Sequence, residues 1–228
     1  MLHFKIQKIN KDIYLITEPF YREHANLWLL KGAAFDVLID CGLGIFDVRK
    51  FLVKKGFNPK IVITHSHFDH AGGLRHFNQR EMFTTGKIAK NLQRKELWGL
   101  EYLQQNDFVP PTLFKAFAMN KMEVKPCKPG YIDVGRFHFK VIELPGHTDD
   151  SIVLHDSKNK ILISGDTLYA GKIYADMPNS NKKEFMASIK FIKTLDFELA
   201  LPGHNEVLNR KQALSAIDKW LFMLKSAQ

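Results

Sequence analysis

The sequence has little cysteine and no long apolar run. Its two cysteines, Cys41 and Cys127, lie far apart and could form at most one disulfide, so we interpret them as buried thiols. No run is long enough to cross a bilayer, and the first residues lack the apolar core of a secretion signal. These absences argue against a membrane-spanning protein and against a small protein stabilised by several disulfides. They predict a cytoplasmic protein.

The sequence also lacks a linker rich in proline, glycine or serine. It has 228 residues, of which 45 % are hydrophobic and 25 % charged, which is ordinary for a chain that buries a substantial core. We therefore predict one domain that spans residues 1–228.

Positive charge is abundant but dispersed, with no block of five or more basic residues. The formal net charge is +9 and the isoelectric point is near 9.4. Such a balance suits a solvated basic surface or an anionic partner, which could be a nucleic acid, a membrane surface or a phosphorylated small molecule such as coenzyme A. Composition leaves these alternatives open.

Short apolar runs alternate with helical patterns along the chain. The predicted strands are Ile13–Thr17, Asn26–Leu30, Val37–Asp40, Ile61–Thr64, Phe137–Leu144, Ile152–His155, Ile161–Ser164 and Leu199–Leu201. One predicted helix has Asp47 as N-cap and Gly56 as its stop, and two others cover Lys87–Gln105 and Asn181–Leu195. In the last predicted helix Leu214, Ile217, Leu221 and Leu224 recur at helical spacing. The order predicts an α/β architecture with sheets inside and helices outside.

One segment between these elements, Phe108–Met119, has an unusual composition. It contains Pro110-Pro111 and three phenylalanines. It is interpreted either as a core-packing crossover or as an apolar lid or acyl-chain groove beside the site.

The most informative motif is the segment His65 to His70, which reads His-Ser-His-Phe-Asp-His after the predicted strand Ile61–Thr64. Imidazole nitrogens and carboxylate oxygens are ligands that zinc prefers. Side chains at i and i+2 in an extended turn can converge on one ion, which suits His65 and His67. The motif predicts a metal site.

Three further residues repeat this arrangement of strand, glycine and metal-capable side chain: His147, Asp166 and His204. The ends of parallel strands lie along one edge of a sheet, so these side chains could meet in space. Together with His65, His67, Asp69 and His70 they make seven ligands. Seven are too many for one tetrahedral zinc and suit two ions that share a carboxylate. Zinc is favoured, and iron or manganese would also be acceptable.

On these motifs the chain resembles the metallo-β-lactamase-fold superfamily from about Ile13 to the last helix. The resemblance implies a four-layer αββα sandwich with the metals at one edge. It implies that one metal is held by His65, His67 and His147, the other by Asp69, His70 and His204, and that Asp166 bridges them. It also implies that Asp40, in Leu-Ile-Asp-Cys-Gly, supports the histidine loop without binding metal.

Within the superfamily the sequence is similar to two thioesterase groups. Glu18-Pro-Phe-Tyr, Asn26-Leu-Trp-Leu, Asp36 to Gly44 and Gly165 to Tyr169 resemble the acyl-CoA thioesterases with this domain. Gly171-Lys172-Ile173-Tyr174 is similar to the glyoxalase II segment whose lysine and tyrosine contact glutathione, which implies substrate contacts for Lys172 and Tyr174. Asp150 departs from the superfamily, which usually has glycine there.

The function predicted from these features is thioester hydrolysis by a dinuclear zinc hydrolase. A metal-bridging hydroxide would attack the acyl carbon, with Asp69 orienting it. The substrate would be a coenzyme A or glutathione thioester. Four alternatives remain open: a phosphodiesterase or ribonuclease, a β-lactamase, a lactonase, and an iron-dependent oxidoreductase of the persulfide dioxygenase type.

Overall fold

The computed structural model describes residues 4–18, 24–78, 81–93 and 130–226. The chain forms two compact units. The N-terminal unit comprises Met1–Pro129 and Val134–Arg136, and the C-terminal unit comprises Gly130–Asp133 and Phe137–Gln228. The expectation of a single domain over residues 1–228 stays a prediction.

The N-terminal unit contains a six-stranded mixed sheet in the order of the sequence. Its strands are β1 (Lys5–Lys8), β2 (Ile13–Thr17), β3 (Leu27–Leu30), β4 (Val37–Ile39), β5 (Lys60–Val62) and β6 (Met82–Phe83). The pairs from β1 to β4 are antiparallel, and β4, β5 and β6 are parallel. The C-terminal ends of β4 and β5 therefore lie at the same sheet edge, where the chain continues into Asp40 and towards His65.

The described residues of the N-terminal unit form four short helical segments. They are α1 (Val48–Lys54), α2 (Phe68–Ala71), a 3-10 helix (Gly72–His76) and α3 (Gly86–Leu92). The Asp47 carboxylate accepts the Lys50 N–H at 2.7 Å and caps α1. Gly56, at φ +85°, follows that helix in the left-handed region where glycine carries no steric cost. The predicted boundaries of α1 are confirmed.

The C-terminal unit contains the second mixed sheet and two longer helices. Its strands are β7 (Tyr131–Asp133), β8 (His138–Glu143), β9 (Ile152–Asp156), β10 (Ile161–Gly165), β11 (Leu199–Pro202) and β12 (Leu208–Asn209), and its helices are α4 (Lys182–Ile192) and α5 (Arg210–Ser226). Strand β9 is antiparallel to both β8 and β10, and β10 is parallel to β11. Strands β8, β10 and β11 therefore share one direction, and the segments carrying His147, Asp166 and His204 leave the same edge.

The two helices of this unit bury apolar faces in one core. Phe185, Ile189 and Ile192 of α4 are buried, as the helical spacing predicted. The last predicted helix is confirmed as α5, in which Ile217 is buried and Leu221 and Leu224 pack against the same core. Its buried residues are Ala213, Ile217 and Trp220, whereas Leu214, Leu221 and Leu224 are half-buried. The ring centroids of Trp220 and Phe185 lie 5.7 Å apart in a tilted arrangement, which joins α5 to α4.

The eight predicted strands are all present, with boundaries that differ by up to two residues. Sequence periodicity missed β1, β6, β7 and β12. These strands have two to four residues, too few for an apolar alternation to stand out, and β1 is exposed along its whole length. Cys41 is a buried free thiol, as expected. In the described part of the chain no helix has the length and apolar character needed to span a bilayer.

Some predictions fall outside the described residues. Segment Phe108–Met119, the part of the predicted helix Lys87–Gln105 after residue 93, and Cys127 are among them. The remainder of that helix is present as α3.

Candidate metal centre

Asp40 organises the metal-capable side chains of the N-terminal unit. It directly follows β4 at φ +61°, a left-handed conformation that Asp tolerates better than most residues. Its Oδ1 accepts the Thr64 N–H, and its Oδ2 accepts the Thr64 hydroxyl and the Nδ1–H of His70, all at 2.8 Å. The carboxylate thus joins the end of β4 to Thr64, just before the histidine loop, and to His70 at the end of that loop.

These contacts determine which nitrogen of each histidine faces away from the support. The Thr64 hydroxyl donates its one proton to Asp40, so at 3.1 Å it accepts from Nδ1 of His65. His65 and His70 are therefore both protonated at Nδ1. In each ring the Nε2 lone pair is left to coordinate an ion, the arrangement found in metal-binding histidines.

The remaining donors of this unit come from the next turn of chain. His67 precedes α2 and Asp69 lies in its first turn. The ring centroid of His65 lies 4.6 Å from that of His67 and 4.1 Å from that of His70. Asp69 Oδ2 lies 3.5 Å from His70 Nε2. The four side chains are buried, so the local sequence His65 to His70 folds into a compact set of nitrogen and oxygen donors.

Asp166 is the centre of the corresponding set in the C-terminal unit. Its Oδ2 lies 3.4 Å from Nε2 of His147 and 3.3 Å from Nε2 of His204. Asp166 and His147 are buried, and His204 is half-buried. The three predicted ligands of this unit are brought together around one carboxylate oxygen.

The orientation of His147 is fixed by backbone groups. Its Nδ1–H donates to the Tyr174 carbonyl at 2.8 Å, which leaves Nε2 for a metal. The preceding Gly146, at φ +136°, lies so close to α4 that a Cβ there would be 2.2 Å from the backbone nitrogen of Phe185. The Gly146 carbonyl also accepts the Asn181 N–H at 2.8 Å. The loop is therefore held directly against the start of α4.

Two aromatic side chains support His204 and the loop after Asp166. The Tyr169 ring lies 5.9 Å from His204 and 5.1 Å from Trp220 of α5, in edge-on contacts. The Trp220 indole N–H donates to the Gly171 carbonyl at 3.2 Å. The C-terminal helix thus contributes to the position of the loop.

The predicted substrate residues lie on this same loop. Lys172 is exposed and its Nζ lies 5.0 Å from the centre of the Tyr174 ring, within cation–π range. Asp150, which departs from the superfamily pattern, is buried and accepts the Thr148 hydroxyl at 2.6 Å. The carboxylate at this position is therefore engaged by its own loop.

Glu18 is a buried carboxyl that the metal motif did not indicate. It follows β2, is 5 % exposed, and its Oε2 accepts the Leu43 N–H at 2.8 Å. Burial raises the pKa of Glu18 from 4.5 to about 7, against the opposing effect of the Leu43 and Gly44 backbone N–H groups, and the nearby Asp69 charge raises it further.

Sequence reasoning missed three supporting groups: the Thr64 hydroxyl, the Tyr174 carbonyl and the Glu18 carboxyl. A backbone carbonyl leaves no signal in the sequence. Thr64 could have been found, because a hydroxyl residue directly before a histidine motif is a candidate partner for Nδ1.

The donor chemistry of both units fits a metal ion. Histidine and aspartate side chains of both units, buried or half-buried, belong to groups that could hold one. The Nδ1 atoms of His65, His70 and His147 are all engaged by protein acceptors. A metal-binding histidine usually has its other ring nitrogen engaged by a protein acceptor in this way, which fixes the tautomer and the orientation of the ring.

Comparison with known proteins agrees with this chemistry. The family model described as the metallo-beta-lactamase superfamily matches residues 21–204. Acyl-coenzyme A thioesterase MBLAC2 of Gallus gallus is 30% identical over 224 residues, covering 88% of this chain and 80% of the relative. Hydroxyacylglutathione hydrolase GloC of Haemophilus influenzae is 25% identical over 158 residues, covering 63% and 67%.

Solved structures show the same fold. A metallo-beta-lactamase family protein from Thermus thermophilus matches with a TM-score of 0.72 at 19% identity, covering 96% of this chain and 81% of that one. A metallo-beta-lactamase from Pontibacter korlensis matches with a TM-score of 0.70 at 18% identity, covering 98% and 99%.

The chain belongs to the metallo-β-lactamase superfamily, and the predicted fold class is confirmed. It is a metallo-hydrolase of that fold.

Proposed function

We propose that this metallo-hydrolase cleaves thioesters with two zinc ions, and that its substrate is an acyl-coenzyme A. The observation that carries the proposal is the 30% identity to an acyl-coenzyme A thioesterase over 88% of this chain. The similarity to a hydroxyacylglutathione hydrolase covers less of the chain, so a glutathione thioester is the second candidate for the substrate.

The proposed ligands are the seven residues of the sequence motif. His65, His67 and His147 would hold one ion, Asp69, His70 and His204 the other, and Asp166 would contribute to both. The Nδ1 contacts of His65, His70 and His147 support this proposal, because they leave Nε2 as the coordinating atom. The position of Asp166 Oδ2 beside two Nε2 atoms supports a shared carboxylate.

The side chains would divide the chemistry between them. Bound zinc supplies a water with a pKa near 7 and a Lewis acid for the acyl oxygen. Asp69, a buried carboxylate, would accept a hydrogen bond from the attacking water and orient it. Asp40 would keep His70 in the tautomer that binds metal. A thiolate leaves readily, so no residue is required as a general acid.

The substrate would meet the loop after Asp166. Lys172 is exposed there and carries positive charge beside the Tyr174 ring, which suits an anionic thioester. The net charge of +9 suits the phosphates of coenzyme A in the same way. A nucleic acid partner stays an alternative that the sequence does not favour, and a cytoplasmic location stays a prediction from the sequence.

The decisive experiment measures metal content together with hydrolysis of four substrates: an acyl-coenzyme A, lactoylglutathione, nitrocefin and bis-nitrophenyl phosphate. We expect two zinc ions per chain and thiol release from the acyl-coenzyme A. Asp69→Asn should lose turnover, whereas His138→Ala, which removes an exposed histidine paired with Asp133, should keep it.

Other results would contradict the proposal. Turnover of the phosphodiester without thiol release would favour a phosphodiesterase or ribonuclease. Nitrocefin cleavage without thiol release would favour a β-lactamase, and failure on all four substrates would direct the search to lactones. A single bound iron with oxygen consumption would favour a persulfide dioxygenase.

A further inference from the structure

Glu18 is not a member of the proposed ligand set, yet it is buried and bonded to the turn that follows Asp40. Its Oε2 accepts the Leu43 N–H at 2.8 Å. A Cβ added to Gly42 would lie 2.6 Å from that same oxygen, so the carboxyl is packed tightly against the turn. The turn, residues 41–44, has Gly42 and Gly44 both at φ +72°.

Backbone bonds join this turn to the segment that carries His70. The Cys41 N–H donates to the His70 carbonyl at 2.8 Å, and the Gly73 N–H donates to the Gly42 carbonyl at 3.1 Å. These bonds begin one residue after Asp40 and end three residues after His70. A shift of the turn would therefore displace both Asp40 and His70.

Because Gly44 and Gly72 have no side chain, the turn 41–44 and the segment 70–73 pack directly against each other. A Cβ added to Gly44 would lie 2.3 Å from the Gly72 carbonyl oxygen, and one added to Gly72 would lie 2.4 Å from the Leu43 carbonyl oxygen. Packing this close leaves no room for independent movement. The turn and the segment 70–73 are therefore packed as one unit, and Glu18, which directly follows β2, accepts a hydrogen bond from this unit at Leu43.

We propose that Glu18 is a positioning residue of the metal centre, which holds the 41–44 turn so that Asp40 and His70 keep the geometry that binds metal. This proposal rests on the metal site of the proposed function. Glu18 acts through Leu43 and the turn, and it needs only a hydrogen-bond acceptor at Oε2.

The test compares Glu18→Ala with Glu18→Gln in the full-length protein. Removing the acceptor leaves the buried Leu43 N–H without its partner, so zinc affinity should fall about 10-fold or more, the effect typical of lost support for a ligating histidine. Glutamine keeps an acceptor oxygen and should bind zinc within about threefold of the wild type. Zinc affinity is measured by competition with a chromophoric chelator, and the melting temperature is recorded for each variant.

Asp156→Ala is the matched control. Asp156 is also a buried carboxylate and accepts the His138 and Asn159 N–H groups, both at 2.9 Å. Its loss should lower the melting temperature and leave zinc affinity unchanged. Should Glu18→Ala not fold, Glu18→Asp takes its place, because the shorter side chain withdraws the acceptor from Leu43.

Three results would overturn the proposal. They are wild-type zinc affinity in Glu18→Ala (or in Glu18→Asp), equal losses in the glutamine and alanine variants, and an equal loss in Asp156→Ala. Zinc affinity is read without a substrate. A wrong thioesterase assignment would therefore leave these measurements intact, and a protein that binds no zinc would refute the metal site itself.

Discussion

His70 donates its Nδ1–H to Asp40 Oδ2 at 2.8 Å, and both side chains are at most 1 % exposed. The pair joins the end of β4 to the histidine loop after β5. A buried carboxylate on Nδ1 fixes the ring tautomer and raises the basicity of Nε2. We therefore propose that Asp40 contributes to metal binding without being a ligand.

Replacing Asp40 with asparagine tests this contribution. Asparagine tolerates the left-handed backbone at this position, but an amide nitrogen at the place of Oδ2 cannot accept from both Thr64 and His70. We expect metal affinity to fall about 10- to 100-fold. Chelator competition measures it, with Asp156→Asn as the buried control that should bind metal normally. Unchanged affinity in Asp40→Asn would show that the carboxylate does not act on His70.

Asp166→Ala should remove metal and activity together. Its Oδ2 is shared between His147 and His204, so its loss takes a donor from beside both histidines. Metal content by elemental analysis should fall below that of the wild type, with turnover lost. Asp218→Ala, which removes an exposed carboxylate paired with Lys193, should change neither quantity. Full turnover in Asp166→Ala would refute the two-metal assignment.

Gly146→Ala should displace the loop that carries His147. The added methyl would meet the Phe185 backbone at 2.2 Å, and the positive φ adds strain. We expect a loss of about 1–3 kcal/mol in the free energy of unfolding, and weaker metal binding. Gly86→Ala is the control, since no described atom lies within 4 Å of its new Cβ, and it should be neutral or slightly stabilising. Denaturant unfolding and metal titration measure both. If the free energies of unfolding of Gly146→Ala and Gly86→Ala were equal, α4 would have moved to accommodate the added methyl group at little cost.

The titration of Glu18 should appear in the pH dependence of stability of the metal-free protein. Its folded pKa, about 7, lies above the ordinary value of 4.5. The folded state therefore binds the proton more tightly, and this stabilisation is complete below pH 4.5 and disappears as the pH rises through 7. Between about pH 5 and 8 the wild type should lose on the order of 2–3 kcal/mol relative to Glu18→Gln. Denaturant unfolding after chelator treatment measures this difference. A constant difference across that range would place the folded pKa of Glu18 at its ordinary value.

The sequence by itself determined most of the longer elements and the types of donor. Apolar runs located eight strands because burial on a sheet imposes an apolar period, and Asp47 marked the start of α1 because a cap is a local interaction. The donor types at His65 to His70, and after the strands at His147, Asp166 and His204, indicated metal chemistry because few other uses gather so many imidazoles.

Only the tertiary structure decided how those donors are held. The hydrogen bond from His70 to Asp40 spans 30 residues, and that from His147 to the Tyr174 carbonyl spans 27. No local pattern records such separations. Trp220 contacts Phe185 of α4 from α5, and the proposed role of Glu18 depends on glycines that admit backbone contact. These features arise from chain segments that meet only after folding, so periodicity and spacing could not reveal them.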